Sequence, residues 1–92
     1  MITIKEACNK VLSENPGMHI LKVSEKEDYY AFLTCNENGE EIFDSTSRRV
    51  YKDSGNYKEL IGLYDIIKED GYNVAPTIKE YSREEIEEII EG

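Results

Sequence analysis

The sequence is short of several residue types, and each shortage excludes a class of protein. Its 92 residues include no tryptophan, one histidine and two cysteines. Two cysteines are too few for a disulfide framework, and the 27-residue separation of Cys8 and Cys35 fits no zinc-binding spacing. No apolar run approaches the roughly 20 residues of a membrane-spanning helix, and the chain opens without a secretory signal pattern. We therefore expect a cytoplasmic protein with two reduced, buried thiols and no membrane segment.

Basic residues are also scarce. Eleven lysines and arginines stand against 20 aspartates and glutamates, which gives a net charge of −9 at pH 7. Such a charge repels a phosphate backbone, so we expect no direct nucleic-acid binding. It is compatible with a basic protein partner, although the simpler interpretation of the charge is solubility. Hydrophobic residues make up 39% of the chain, which is enough to form the core of one domain over residues 1–92.

The first predicted element is an amphipathic helix over residues 3–14. Thr3 and Glu6 form a capping box, in which each side chain satisfies a free backbone N–H group of the other residue. Asn15-Pro16-Gly17 ends the helix. The apolar residues recur with helical spacing and form one stripe: Ile4, Ala7, Cys8, Val11 and Leu12.

An antiparallel meander is predicted next. Its strands are expected at Met18–Ser24, Tyr29–Cys35, Glu40–Asp44 and Arg48–Lys52, and its turns or bends at Glu25–Asp28, Asn36–Gly39, Ser45–Ser47 and Asp53–Asn56. Strict alternation in the first strand places His19, Leu21 and Val23 on one face, opposite Met18, Ile20 and Lys22. The Tyr29–Cys35 strand is apolar on both faces, so it is expected at the centre of the sheet.

The C-terminal third permits two interpretations of one stretch. Helical spacing of Leu60, Leu63, Tyr64 and Ile67 favours a helix over residues 58–69, ended by Asp70-Gly71. The alternative is a return strand at Tyr57–Ile61. Residues 72–81 are expected to be extended or looped. Ser82 and Glu85 then form a second capping box, which opens a helix over residues 83–91 with this inner face: Ile86, Ile89 and Ile90.

These elements predict an α+β fold. An N-terminal helix packs on a three- to four-stranded antiparallel meander, and one or two short helices follow at the C-terminus. The C-terminal segment is expected to cover part of the sheet face opposite the first helix.

Two surfaces are candidates for partner binding. The hairpin residues Arg48, Arg49, Tyr51 and Tyr57 form an arginine–tyrosine patch that can grip a peptide or an anionic group. The alternative for this patch is a set of cross-strand salt bridges. Residues 80–92 carry six acidic side chains and one basic side chain, so their helix can dock a basic protein or can simply be a solvated face. Its candidate residues are Glu84, Glu87, Glu88 and Glu91.

The order of elements over residues 3–57 resembles the small α+β module called PepSY. The resemblance rests on the helix around Ala7–Val11, the strand Tyr29–Thr34, and the turn Val50–Gly55 within RRVYKDSGNYKEL. The same order is similar to a family of small bacterial toxin-immunity proteins. The PepSY resemblance implies a helix before an antiparallel meander. Modules of that family are mostly secreted or membrane-linked, are associated with peptidase inhibition, and supply no catalytic residues.

The sequence therefore predicts a non-enzymatic, acidic, bacterial-type domain that binds or inhibits a basic protein, as an immunity protein does. The alternative is a small-ligand-binding domain whose sheet face carries Tyr30, Phe32 and Tyr51. An enzyme using Cys35 and His19 ranks third, because such a couple also needs a third group to orient the histidine ring and no cysteine-protease signature surrounds Cys35. No catalytic residue, cofactor site or metal site is predicted, and the oligomeric state is left open.

Overall fold

The computed structural model describes residues 1–35 and 46–92, and its architecture confirms the α+β fold with an antiparallel sheet. The elements in chain order are α1 (Ile4–Glu14), β1 (His19–Glu25), β2 (Tyr29–Cys35), β3 (Thr46–Tyr51), β4 (Tyr57–Ile61), α2 (Gly62–Asp70), β5 (Lys79–Tyr81) and α3 (Arg83–Glu91). Five strands in the described residues form one sheet in the order β4-β3-β2-β1-β5, so the sheet is larger than predicted, with β2 at its centre.

Both capping boxes form, and they set the starts of α1 and α3. The Glu6 backbone N–H donates to the Thr3 hydroxyl at 3.2 Å, and the Glu6 carboxylate accepts from the Thr3 backbone N–H. Ser82 and Glu85 repeat the arrangement at the start of α3. Because these signals lie within four consecutive residues, the sequence was sufficient to predict both helix starts.

The hydrophobic core lies between one face of the sheet, here called the core face, and a layer formed by α1 and α3. Its buried side chains are Ala7, Cys8, Val11, Ile20, Val23, Tyr30, Phe32, Val50 and Ile86. The expectation that the C-terminal segment covers the opposite face was wrong for α3, which packs beside α1. The inner residues predicted for α3 are correct, because Ile86 is buried and Ile89 and Ile90 pack against the core.

The opposite face of the sheet, here called the α2 face, carries α2. Side chains alternate along a strand, and Val50 lies in the core, so Arg49 and Tyr51 point to the α2 face. There they bond to Asp70 and Glu69 at the end of α2. The structure describes every residue of α2, and none of them is buried. Polar contacts therefore contribute much of the attachment of this helix.

β1 departs from the predicted alternation. Its pairing with β2 shifts between Ile20 and Lys22, so one extra residue is accommodated there. Ile20 and Val23 consequently both lie in the core, although strict alternation placed them on opposite faces. The irregularity brings two β-branched side chains to one face across a spacing of three residues.

The β3–β4 hairpin is confirmed in part. The predicted bend at Ser45–Ser47 was wrong for Thr46 and Ser47, which pair with β4 as the start of β3. The turn at Asp53–Asn56 forms as predicted, and Gly55 adopts φ 72° there. Ser45, the predicted Asn36–Gly39 turn and the predicted Glu40–Asp44 strand lie outside the described residues.

Residues 57–70 form a strand and then a helix, so each of the two alternatives was right for one half. The preferred helix over residues 58–69 was wrong before Gly62, because Tyr57–Ile61 pairs with β3. Gly62 has φ 73° at the change of direction, and the Ile61 N–H donates to the Asp65 carboxylate at 2.9 Å. The helix ends at Asp70 as predicted, and Gly71 follows with φ 70°.

Candidate functional site

Arg48 lies on the core face and is bound by the protein itself. Its side chain donates to Asn15 Oδ1 and Thr34 Oγ1, both at 3.3 Å, and lies 3.9 Å from the Glu59 carboxylate. Arg48 and Glu59 are direct partners across β3 and β4. Only 7% of the Arg48 surface is exposed. For Arg48, the ion pair with Glu59 is the cross-strand salt bridge given above as the alternative for this patch.

Arg49 lies on the α2 face, so the two adjacent arginines do not form one basic surface. Its guanidinium group donates two hydrogen bonds to the Asp70 carboxylate, at 2.8 and 2.9 Å. The group also lies 4.0 Å from the centre of the Tyr29 ring, within range of a cation–π interaction. Arg49 is 4% exposed. It therefore connects the centre of the sheet to the C-terminal end of α2.

The two tyrosines of the predicted patch are half-buried, and their hydroxyl groups have carboxylate partners. Tyr51 donates to Glu69 at 2.6 Å, and Tyr57 donates to Glu59. Burial, together with the hydrogen bond to Glu69, raises the pKa of Tyr51 above its ordinary value. The Tyr51 hydroxyl is therefore protonated at neutral pH and acts as a hydrogen-bond donor rather than a base.

The acidic candidates on α3 are exposed. Glu84, Glu87, Glu88 and Glu91 lie on the side of α3 that faces away from the core. Glu87 forms an exposed ion pair with Arg83 at 3.2 Å, a type of contact that contributes little to stability. The helix thus presents several carboxylates to solvent, beside α1.

The cysteine–histidine pair is brought together by the sheet. His19 and Cys35 are direct partners across β1 and β2. The Cys35 side chain is fully buried, however, whereas His19 is exposed. The other thiol, Cys8, lies in the core, and burial raises its pKa to about 11. A thiol in that state is almost entirely protonated at neutral pH and is a poor nucleophile.

A network at one end of the sheet was not predicted. The buried Lys52 ammonium group lies 2.7 Å from the Glu25 carboxylate and 5.1 Å from the centre of the Tyr30 ring. Tyr81 donates to the second oxygen of the same carboxylate at 3.2 Å. The hydrogen bond from Lys52 lowers the pKa of Glu25, and a smaller contribution comes from Tyr81. The network therefore connects β1, β5 and the end of β3.

The lowered pKa of Glu25 makes stability depend on pH. The unfolded carboxyl group takes up its proton first as pH falls, so this contribution is complete above about pH 5 and is lost as pH falls through the lower folded pKa. We expect Glu25→Gln to cost about 1–2 kcal/mol at pH 7 and to reduce the loss of stability between pH 7 and pH 3. Urea unfolding at both pH values measures this. Equal pH dependence of Glu25→Gln and wild type would contradict the assignment, and Glu84→Gln on the exposed α3 surface is the matched control.

Sequence reasoning missed an exposed apolar segment between residues 61 and 78. Six of its large apolar side chains are 62% to 91% exposed: Ile61, Leu63, Tyr64, Tyr72, Val74 and Ile78. Helical spacing had assigned Leu63 and Tyr64 to an inner helix face. The signal that could have revealed the segment is the presence of Tyr72, Val74 and Ile78 in a stretch that Pro76 interrupts.

An open groove runs along β4, the outer strand of the sheet. Its larger part, of about 770 Å³, lies between the end of α1 and the hairpin, and Glu14, Tyr57 and Lys58 are among its lining residues. A second part, of about 310 Å³, lies between β4 and α2. Lys58 and Glu69 line both parts, so the two parts adjoin one another.

Comparison with known proteins found no matching family model, no matching curated protein and no matching solved structure. The resemblance to PepSY modules and immunity proteins therefore stays a prediction. Across residues 1–35 and 46–92, no cluster of histidine, cysteine and carboxylate side chains is arranged to bind a metal ion. In the same part of the chain, no helix is both long enough and apolar enough to cross a membrane.

Proposed function

We propose that this chain is a non-enzymatic protein-binding module of the inhibitory or immunity type, and that its partner is a basic protein. The observation that carries the proposal is the exposed apolar segment. Six large apolar side chains reach solvent within 18 residues of a small, highly charged protein. Single exposed apolar residues are ordinary, but a concentration of them is characteristic of surfaces that bind other proteins.

The energetics favour burial of this segment in a complex. Removing one such side chain from water contributes roughly 1.5–3 kcal/mol when the burial is complete. Tyrosine is also enriched at the centres of protein interfaces, because it buries a large ring and keeps a polar end. Tyr64 and Tyr72 are 77% and 90% exposed and meet this description. The proposal therefore expects Tyr64 and Tyr72 to lie at the centre of the interface with the partner.

The charge of the chain supports a basic partner. A net charge of −9 attracts positively charged proteins and repels acidic ones before contact is made. The exposed carboxylates of α3, Glu84, Glu87, Glu88 and Glu91, add to this field. In the proposed function, α3 steers the partner and the exposed apolar segment makes the close contact.

The small-ligand alternative receives less support from the geometry. Tyr30 and Phe32 are buried in the core beneath α1 and α3, whereas Tyr51 lies on the α2 face. The three rings therefore do not line a common pocket. Within the described residues, Tyr51 and Tyr57 do border the open groove along β4, but both of their hydroxyl groups are already bonded to carboxylates.

Site-specific photo-crosslinking tests the proposed function. Tyr64 and Tyr72 are replaced, one at a time, by the photoreactive residue p-benzoylphenylalanine, which keeps an aromatic side chain at each position. The exposed Asn9 of α1 is the control position. We expect irradiation of native-host cells to yield one adduct with a basic protein from positions 64 and 72, in a yield at least tenfold above position 9.

The electrostatic part of the proposal has its own readout. Reversal of Glu84 and Glu88 to lysine is expected to lower the adduct yield most at low ionic strength, because salt screens interactions between exposed charges. An acidic partner, or equal adduct yields from all three positions, overturns the proposed function.

A further inference from the structure

The outer edge of β4 carries free backbone hydrogen-bonding groups. The Tyr51 N–H donates to the Asn56 carbonyl at 3.0 Å, so these two residues form a hydrogen-bonded pair. Hydrogen-bonded and non-hydrogen-bonded pairs alternate along antiparallel strands. Lys58 and Leu60 therefore bond to β3, whereas the backbone N–H and C=O groups of the alternate residues of β4 point away from the sheet.

The outward groups belong to Tyr57, Glu59 and Ile61. The Ile61 N–H is occupied, because it donates to the Asp65 carboxylate at 2.9 Å. Because Asp65 belongs to α2 and not to β3, this contact independently confirms that the Ile61 N–H points away from β3. Among the described residues no strand pairs with the outer side of β4. Ile61 is also the N-cap of α2, and the carbonyl group of an N-cap accepts the first hydrogen bond of its helix. The groups left for an added strand are therefore the N–H and C=O groups of Tyr57 and Glu59.

The groove along β4 gives this edge the shape of a receiving channel. Its two parts, of about 770 and 310 Å³, follow the strand from the hairpin toward α2. Charged side chains of both signs line it: Lys10 and Glu14 of α1 lie on one side, and Asp65, Lys68 and Glu69 of α2 lie on the other. The opposite edge of the sheet offers much less, because β5 has only three residues. An extended chain added to the sheet is therefore best accommodated at β4.

We propose that the edge of β4 binds an extended segment of the basic partner as an additional antiparallel strand. The inference rests on the proposed function and specifies how that partner is held. Main-chain hydrogen bonds to Tyr57 and Glu59 supply the pairing, and side chains of the added strand alternate between the two faces. A basic side chain beside Glu59 forms a favourable cross-strand pair, and an apolar side chain lies on the face of Leu60.

A second copy of this chain is a less suitable occupant. Two-fold pairing of β4 with itself over its full length places Glu59 opposite the same residue of the other copy. Like charges directly opposite in neighbouring strands are destabilising. Each copy also carries a net charge of −9, so the two copies repel one another before contact.

The test uses an acetylated and amidated octapeptide of alternating lysine and valine, with the isotopically labelled full-length protein observed by NMR. Hydrogen exchange at the amides of Tyr57 and Glu59 is expected to slow at least tenfold at saturating peptide. Exchange at Lys58 and Leu60, which already bond to β3, is expected to change less. Failure to protect the two outward amides at about 1 mM peptide overturns the inference.

Matched changes in the probe leave the protein unaltered. N-methylation of the two central peptide amides is expected to weaken binding roughly three- to tenfold for each hydrogen bond lost. An alternating glutamate–valine octapeptide is expected to bind at least tenfold more weakly than the lysine peptide. Equal binding of the N-methylated peptide overturns strand addition, and equal binding of the acidic peptide overturns the choice of a basic segment.

Matched changes in the protein separate the backbone from the side chain at position 59. Glu59→Pro removes the outward amide, and proline is tolerated where an edge N–H faces solvent. It is expected to weaken peptide binding more than Glu59→Gln, which loses the charge but keeps the amide. Urea unfolding of both variants establishes that they fold, and equal affinities of the two would count against an edge-strand contact.

The outcomes distinguish this inference from the proposed function. A basic adduct at positions 64 and 72, combined with unprotected amides at Tyr57 and Glu59, sinks strand addition and leaves the proposed function standing. Protected edge amides without any site-specific adduct overturn the proposed function and its basic partner. Concentration-dependent protection of the same amides without peptide identifies a second copy as the occupant and overturns the inference.

Discussion

Replacement of Asp70 by asparagine is expected to destabilise the protein by about 2–3 kcal/mol. The substitution leaves the Arg49 guanidinium group charged and buried without the carboxylate that accepts its two hydrogen bonds. Loss of one partner from a buried ion pair typically costs about 3–5 kcal/mol, and we expect a smaller loss here because the Asp70 side chain is 24% exposed. Urea unfolding at pH 7 measures the change.

The double variant Arg49→Met, Asp70→Leu provides the control. Removing both charges avoids an unpaired buried ion, so we expect it to be less destabilised than Asp70→Asn alone. The opposite ranking would mean that packing of the Arg49 side chain against Tyr29, rather than the unpaired charge, dominates the cost. A loss below about 0.5 kcal/mol in Asp70→Asn would show that the end of α2 contributes little to the folded state.

Replacement of Ile86 by alanine is expected to have the largest effect, a loss of about 3–4 kcal/mol. Ile86 is 1% exposed and belongs to the core cluster formed between α1, α3 and the sheet. Isoleucine-to-alanine changes in cores cost about 2–5 kcal/mol through lost burial and the cavity left behind. A domain of this size has a total stability of roughly 5–14 kcal/mol, so the variant approaches the limit of folding.

Two substitutions on the same helix serve as comparisons. Ile90→Ala, at a partly buried position, is expected to lose less than Ile86→Ala. Glu88→Ala, on the exposed side of α3, is expected to stay within about 0.5 kcal/mol of wild type. Thermal or urea unfolding of the three variants gives the order directly. A loss at Ile86 no greater than that at Ile90 would contradict the central place of Ile86 in the core.

The elements that could be predicted from the sequence are those whose signals are local. The helices α1 and α3 each begin with a capping box and continue with an apolar stripe, so one short run of consecutive residues defines each of them. The central strand was predictable because its two apolar faces demand burial. The sequence could not place α3 on the same face as α1, since that choice depends on packing that brings residues as far apart in the chain as Ala7 and Ile86 into one core cluster.

Two errors arose where one spacing served two structures. Leu60, Leu63 and Tyr64 have the spacing of a helix face, yet Leu60 is a buried strand residue and the other two are exposed. The pairing shift in β1 likewise has no signature in the residues around Leu21. The spacing of apolar residues predicts a face only if the backbone stays regular, and a glycine turn or a β-bulge changes the face to which the following residues point.

The candidate site also combines features that a local sequence pattern predicts with features that depend on tertiary contacts. Alternation alone indicates that adjacent strand residues such as Arg48 and Arg49 point to opposite faces, so their separation could have been predicted. The groove along β4 could not, because it is formed by α1, the hairpin and α2 together. The exposed carboxylates of α3 followed directly from the amphipathic pattern of that helix.

The pairing of β5 with β1 has a consequence for the order in which the protein folds during synthesis. Tyr81 pairs with Val23, a residue made 58 positions earlier. The outer edge of β1 and the part of α1 that packs against α3 therefore stay uncovered until β5 and α3 have been made. Contacts of such long range slow folding and leave apolar surface exposed in the meantime. β5 and α3 thus complete the core only after α1 and the other strands have been made, and until then the growing chain is more prone to aggregate.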